Sequence, residues 1–429
     1  MNIIERGKQF LQSLAQLANR KAWEWRRCPR CGDNLTCKWG GYERHPWFFE
    51  GRKRVRVQRH WCHQCKATYS EHSALLVRGS WYSWEVHRYA IDHWQHVGSS
   101  LRRTAGWVRS WLGRQERWKL WRPLDAEPEE GERCCLGAST IHRWLDRAGL
   151  KAQESVKEQL KGVPTSGQVG TDGLWARMRG RTKKVVLALV DSVSGLVFPP
   201  VVVDEEERPE GWEKLFLRAQ EAGLELEALR GVASDGAKGL RGYLELGLWW
   251  VKHQRCVFHL WCNLSGELAT LVKEAAKGLV GEVAKEVRKG ARKEWVALVQ
   301  GVFNAPSEKE AQEALAKLGA QPGGKGLAQA IGEHLKAALV HLLGVNGELM
   351  RVSPEWCWRD FRLRLSRGRN HGSPERLKRA ALVWAIYRNF TPAQWRSEPK
   401  RKYRHPGQSP LEVAGVPPGE VSYLDALGV

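Results

Sequence analysis

The sequence predicts a mixed α/β core interrupted by a long helical stretch, with a cysteine-knuckle ribbon and a basic helical region ahead of it. Three observations predict this. Residues 28–75 carry two C-x-x-C pairs separated by strand-like sequence rich in Gly, Arg and aromatics. Residues 185–203 (VVLALVDSVSGLVFPPVVV) are β-branched and broken at Gly195, which reads as two buried strands and a tight turn. Residues 263–369 then keep a helical pattern almost throughout.

The elements follow in order. Residues 1–27 read as an amphipathic helix with Ile4, Phe10, Leu14 and Leu17 on one side. After the ribbon, residues 76–160 return to helical patterns, and the loop 161–168 opens the core. Within the core, 210–223 and 236–247 read as helices, and 229–235 and 249–259 as strands. Ser307 with Glu310 forms a capping-box pattern, with Gly319 as a stop. Residues 374–390 form a helix with Pro374 in its first turn, where a missing N–H costs least. The core is therefore 161–262 with 370–400, the insertion is 263–369, and 401–429 is a Pro-rich, extended tail.

A chain of 429 residues with 42% hydrophobic content is globular and long enough for two or three domains. No apolar run approaches the roughly 18 to 20 residues that span a bilayer, and the N-terminus lacks a signal peptide's apolar centre. A cytoplasmic location, at the nucleoid when DNA is bound, is expected. The formal net charge is +22, with +12 in residues 1–150, +8 in residues 351–429 and the middle nearly balanced. Two basic ends around a neutral centre suit a polyanion, because backbone phosphates reward clustered Lys and Arg.

Cys28-Pro-Arg-Cys31 and Cys62-His-Gln-Cys65 each bring two thiolates toward one tetrahedral Zn²⁺, as in a zinc ribbon. Cys37, His45, His60 and His63 are spare donors that a four-cysteine site does not need. The stretch GRKRVRVQRH at 51–60 alternates Arg52, Arg54 and Arg56, which fits one face presented to phosphates. Downstream, LGASTIHRWLDRAGL at 136–150 has Ser139 as a candidate N-cap, then Thr140, His142, Arg143 and Arg147 on a polar side, with Ile141, Trp144 and Leu145 facing a core. This is the form of a recognition helix entering the major groove. Residues 96–112 resemble an earlier helix pair of the same kind. Thirteen of the 23 Trp lie in residues 1–150, mostly as core.

Asp172 (QVGTDGLW) and Asp235 (GVASDGAKGL) each end an apolar strand beside a glycine, where a sheet projects carboxylates toward metal. Acids so arranged hold a pair of divalent ions for phosphoryl transfer, and Mg²⁺ suits all-oxygen ligands. Here the chain resembles the DDE transposases of bacterial insertion sequences and the related Mutator-like elements. The resemblance rests on Asp172 before a β-hairpin, Asp235 on the following strand 63 positions later, Cys256-Val-Phe-His259 as a C/D-x-x-H signature, and Glu375 in RNHGSPERLKRA, 140 positions after Asp235. YRNFTPAQW and HPGQSPLEVAGV look similar to the C-termini of bacterial members.

The resemblance implies a ribonuclease-H-like core with Asp172, Asp235 and Glu375 as ligands of two Mg²⁺, with Mn²⁺ as a substitute. It further implies His259 near the site, cleavage at an element's ends and attack of the freed 3′-OH on target DNA. The partners implied are double-stranded terminal inverted repeats, target DNA and a second protomer. For His259 a buried structural pairing with Cys256 weighs equally. Glu355 and Glu398 are rival third acids in less helical, Pro-flanked contexts. Arg369, Asn370, Arg376 and Lys378 surround Glu375 and are expected to meet phosphates. Two other functions stay open: an inactive DNA-binding regulator, and a ribonuclease-H-like nuclease or resolvase.

Overall fold

The computed structural model describes residues 27–71, 76–112, 135–178, 182–342, 358, 361–362, 365, 372–392, 407–417, 419 and 421–428. The expected helix at 1–27 lies outside them apart from its last residue. Among the described residues, 27–152, 365 and 419–428 form one compact unit, and 153–362 and 372–417 form another.

In the first unit, strands β1 (Thr36–Arg44), β4 (Val55–Cys62) and β5 (Thr68–Glu71) make an antiparallel sheet in the order β1-β4-β5. The two-residue strands β2 (Trp47–Phe48) and β3 (Gly51–Arg52) pair with each other between β1 and β4. The β1–β4 register slips between Lys38 and Gly41, where Gly40 takes a left-handed φ of 69° that a side chain would strain. The cluster of buried apolar residues here is small: Phe48, Val57 and Leu76.

Helices Trp84–Val97 and Leu101–Trp111 follow, joined by Gly98 in the left-handed region and a Ser100 hydroxyl that caps Arg103 N–H. The helix pair expected at 96–112 is therefore present, with its first helix starting earlier. A third helix, Ala138–Leu160, starts one residue before Ser139, so that residue lies in the first turn rather than at the cap. It also runs well past 150, because Ala152, Val156 and Leu160 continue its buried stripe. Its residues from Gln153 onward belong to the second unit.

The expected extended tail is corrected as well. Pro410–Val413 and Tyr423–Ala426 are short helices, each opened by a capping box, Ser409 with Glu412 and Ser422 with Asp425. The second helps build the first unit. Buried Arg88 donates to Asp425 Oδ1 at 2.6 Å and to Ser422 Oγ at 3.1 Å, and Tyr423 O–H donates to Asp92 at 2.7 Å.

The second unit is built on a five-stranded sheet in the order β10-β9-β6-β7-β8. Strands β6 (Gln168–Arg177), β7 (Lys183–Asp191) and β8 (Val201–Val203) are antiparallel neighbours, as read from 185–203. Strand β9 (Gly231–Ser234) pairs parallel to β6, and β10 (Lys252–Arg255) parallel to β9. Val185 to Asp191 of β7 are all buried; since side chains alternate between faces, both faces are covered. Helix Pro209–Glu221 packs on β7 and β8 through Trp212, Leu215 and Phe216, and helix Pro374–Phe390 packs on the same two strands. Asn389 near the latter's end exchanges two hydrogen bonds with the Val197 backbone, at 2.8 and 3.0 Å.

The expected strand 249–259 is shorter than its sequence suggests. It stops at Arg255, because Cys256 caps helix Val257–Ala275. That helix starts the expected helical region, continued by Gly281–Phe303, Glu308–Gly319, Lys325–Gly332 and Leu335–Ala338. Ser307 Oγ accepts from Glu310 N–H, and the helix ends at Gly319, both as predicted. Trp261 and Trp295 pack against this bundle's own core. The bundle is tied to β10 through Gln254, whose Nε2 donates to Ala338 O at 2.7 Å. No helix among the described residues is long and apolar enough to cross a membrane.

Candidate metal centres and nucleic-acid interface

The two knuckles close on each other. Cys28 Sγ lies 3.5 Å from Cys65 Sγ, and Cys31 Sγ lies 3.6 Å from Cys62 Sγ, with all four sulfurs within 4.8 Å of one another. A tetrahedral ion with bonds of roughly 2.3 Å needs sulfurs about 3.8 Å apart, so the four-thiol set fits zinc. Each knuckle is shaped by a left-handed residue after its second cysteine, Gly32 (φ 75°) and Lys66 (φ 56°). Backbone bonds from Gly32 N–H to Cys28 O and from Cys62 N–H to Ala67 O fasten the loops.

Burial opposes ionisation of Cys28, but the N–H groups of Arg30 and Cys31 and the neighbouring thiols outweigh it and bring it down to about 6. For Cys31 the Asp33 amide favours the thiolate, yet burial and the other three thiols push it up to about 12. One thiol thus ionises readily while the crowd resists further charge, a frustration that a dication relieves. The spare donors are not needed: His60 bonds Glu71 at 2.8 Å and stacks on Tyr69.

The arginines of 51–60 do not form one regular face. Arg52 ends the short strand β3, Arg54 lies in the connection and pairs with Glu43, and Arg56 lies in β4 opposite Glu43. The chain changes sheets at Lys53–Arg54, which breaks the alternation. All three remain exposed.

On helix Ala138–Leu160, Ile141 and Trp144 are buried as expected, and Leu145 is half-buried. Arg143 and Arg147 are exposed one turn apart, and Thr140 and His142 are half-buried, Thr140 accepting from Arg143 at 3.3 Å. Arg109 of the preceding helix donates to Leu136 O at 3.1 Å, which fixes where this helix begins.

His87 stacks on Trp144 with centroids 3.6 Å apart and bonds Ser80 Oγ at 2.8 Å. Burial, helped by the Arg147 charge, lowers its pKa from 6.5 to about 3. The folded chain therefore binds fewer protons than the unfolded one. His87's contribution is whole above pH 6.5 and is lost as pH falls toward 3. Between pH 7.5 and 5 that loss is about 2 kcal/mol. In denaturant titrations, His87→Phe is expected to remove that share of the acid sensitivity while keeping the stack; equal pH slopes in both proteins would contradict this.

In the second unit, parallel register sets the two aspartates side by side. Gly170 pairs with Ala233, so Asp172 and Asp235, each two residues on, reach the same level on adjacent strands. Asp172 is buried and its Oδ1 accepts from Gly173 N–H at 3.0 Å. Asp235 is half-buried at the strand's end, its Oδ1 accepting from Ala237 N–H at 3.0 Å. Ser234 Oγ accepts from Gly236 N–H at 2.9 Å and contacts His253 Nε2 at 2.7 Å, which braces the turn. Burial, then the charges of Arg255 and Arg241, lowers His253 to about 4 and keeps it neutral. Burial likewise lowers the Arg255 guanidinium, opposed by the Asp235 charge beside it.

His259 sits in the first turn of helix Val257–Ala275, not on a strand, and acts electrostatically on Glu206. Cys256 is fully buried, and its N–H donates to Ser234 O at 2.7 Å, extending the β9–β10 ladder. Glu375 is exposed at the start of its helix, after the Ser373 cap. Its own N–H, then the Ser373 hydroxyl and the Arg379 and Lys378 charges, hold its pKa down.

Among the described residues, the four cysteines are the group of three or more metal-type donors lying within 4.8 Å of one another, and Glu375 does not close such a group with Asp172 and Asp235. Arg376 is exposed. Burial, and then the cations Arg218, Lys214 and Arg379, lower half-buried Lys378. Arg369, Asn370, Glu355 and Glu398 lie outside the described residues.

No model of a known protein family and no curated protein matches this chain. Sequence reading missed Glu206, a half-buried carboxylate whose pKa is raised by burial and by Asp235. A signal existed: Glu206 lies in the short acidic run between β8 and Pro209, where a strand hands over to a helix.

Proposed function

We propose that this chain is a DNA transposase of the DDE type, with Asp172, Asp235 and Glu375 as catalytic carboxylates behind a zinc-stabilised, DNA-reading N-terminal region. The observation that carries this is the side-by-side register of Asp172 and Asp235 at the ends of adjacent parallel strands. Support comes also from the order of elements that the resemblance calls for. An antiparallel hairpin follows the first acid, a parallel strand ends at the second, another parallel strand comes next, and a helical bundle precedes the helix bearing the third. That order favours a ribonuclease-H-like core.

The donor set fits Mg²⁺: carboxylate oxygens, one of them on a buried strand where an uncompensated charge is costly. Divalent ions there would activate the attacking oxygen and neutralise charge on the phosphate. Asp172 and Asp235 hold position through the sheet, and the Asp235 turn is braced by Ser234 and His253. Glu375 reaches the pair once Arg376, Lys378, Lys214 and Arg218 are satisfied by phosphates. DNA ends are held by Arg143 and Arg147 on the recognition helix, with Thr140 and His142 beside them, and by Arg52, Arg54 and Arg56 on the ribbon.

The test is incubation of the zinc-loaded chain with Mg²⁺ and labelled duplexes made from the DNA flanking its gene. Cleavage followed by joining of the labelled 3′ end to a second duplex is expected. Hydrolysis without joining would support a nuclease instead, and binding without cleavage a regulator.

A further inference from the structure

A third carboxylate enters the Asp172–Asp235 site from an element that neither aspartate occupies. Glu206 lies between β8 and helix Pro209–Glu221, and both its backbone and its side chain are clamped. Trp212 Nε1 donates to Glu206 O at 2.8 Å, and Trp175 Nε1, from β6, donates to Glu206 Oε1 at 3.1 Å. Two glycines make room for this arrangement. A Cβ on Gly173, next to Asp172, would strike Glu206 Oε2, and one on Gly239 would come within 2.6 Å of Glu206 O. Asp235 and His259 both lie close enough to act on the Glu206 charge. An exposed glutamate in an acidic run has no need of two indole donors and two side-chain-free positions.

We propose that Glu206 is a further divalent-cation ligand of the site formed by Asp172 and Asp235. This rests on reading that site as a metal centre. The Trp175 bond occupies Oε1 and leaves Oε2 against Gly173, on the Asp172 side. His259 and Arg255 are the cationic or titratable groups that act on Glu206 and on Asp235 respectively.

The experiment is a Mn²⁺ titration of the full zinc-loaded chain, with free Mn²⁺ read by electron paramagnetic resonance and the fold checked by thermal melting. Glu206→Gln, which keeps size and an acceptor for Trp175, is expected to weaken Mn²⁺ binding at least tenfold without lowering the Tm. If it does not fold, Glu206→Asp is read instead, with a smaller loss of the same sign. Should Glu206→Gln bind Mn²⁺ like wild type while Asp172→Asn does not, Glu206 is no ligand and the aspartate site stands. Should wild type bind no better than Asp172→Asn, the metal reading fails and this proposal with it.

Discussion

Asp172→Asn and Asp235→Asn are each expected to lower Mg²⁺-dependent DNA cleavage by about a thousandfold, the equivalent of several kcal/mol of transition-state stabilisation. The amide keeps the size of the side chain but loses the charge that holds a divalent ion. At position 172 it still offers an oxygen to Gly173 N–H, so the strand pairing with β7 and β9 is kept. DNA binding is expected to be unchanged, because the ribbon and helix arginines lie in the other unit. The metal-free Asp172→Asn protein is expected to melt no lower than wild type, since a buried carboxylate costs stability until a cation balances it. Cleavage rates, gel-shift affinity and melting curves on one preparation check all three. A variant that binds DNA and cleaves normally would remove Asp172 from the chemistry.

Stripping zinc is expected to unfold residues 28–71 selectively. The buried apolar cluster there comprises Phe48, Val57 and Leu76, too little to offset the cost of ordering the segment. Structural zinc sites supply about 10–16 kcal/mol of binding energy, which becomes folding energy. One zinc per chain is expected by elemental analysis. Cys62→Ser, which alters a fully buried sulfur, should abolish it. Limited proteolysis should then cut within β1 and β4 while the second unit stays intact. A stable ribbon after chelation would contradict this.

What the sequence made legible is what local chemistry dictates. Cysteine spacing located the four thiols, β-branched runs located β7 and β8, and Ser307 and Ser373 marked helix starts that the structure keeps. The errors arose where neighbours decide. WWVKHQRCVFH reads as one strand, but the chain turns at Cys256 because its N–H completes the ladder with Ser234 and the apolar residues beyond it feed the bundle core. The arginine alternation at 51–60 hid a change of sheet. The tail's Pro and Gly content concealed two capping boxes and the Arg88–Asp425 pair, whose partners lie 337 positions apart. Glu206 was invisible for the same reason. Its indole donors and the glycine beside it come from β6 and the following helix, and the local run of acids looks like solvated surface.

The central claim, that Asp172 and Asp235 hold divalent cations for phosphoryl transfer, is tested most directly by replacing Mg²⁺ with Fe²⁺ and letting ascorbate and peroxide generate radicals at the bound ion. Backbone cuts clustered around residues 172 and 235, with others near 206 and 375, and suppressed by excess Mg²⁺, are the predicted result. Cuts confined to other segments, or a pattern unchanged in Asp172→Asn, would contradict it.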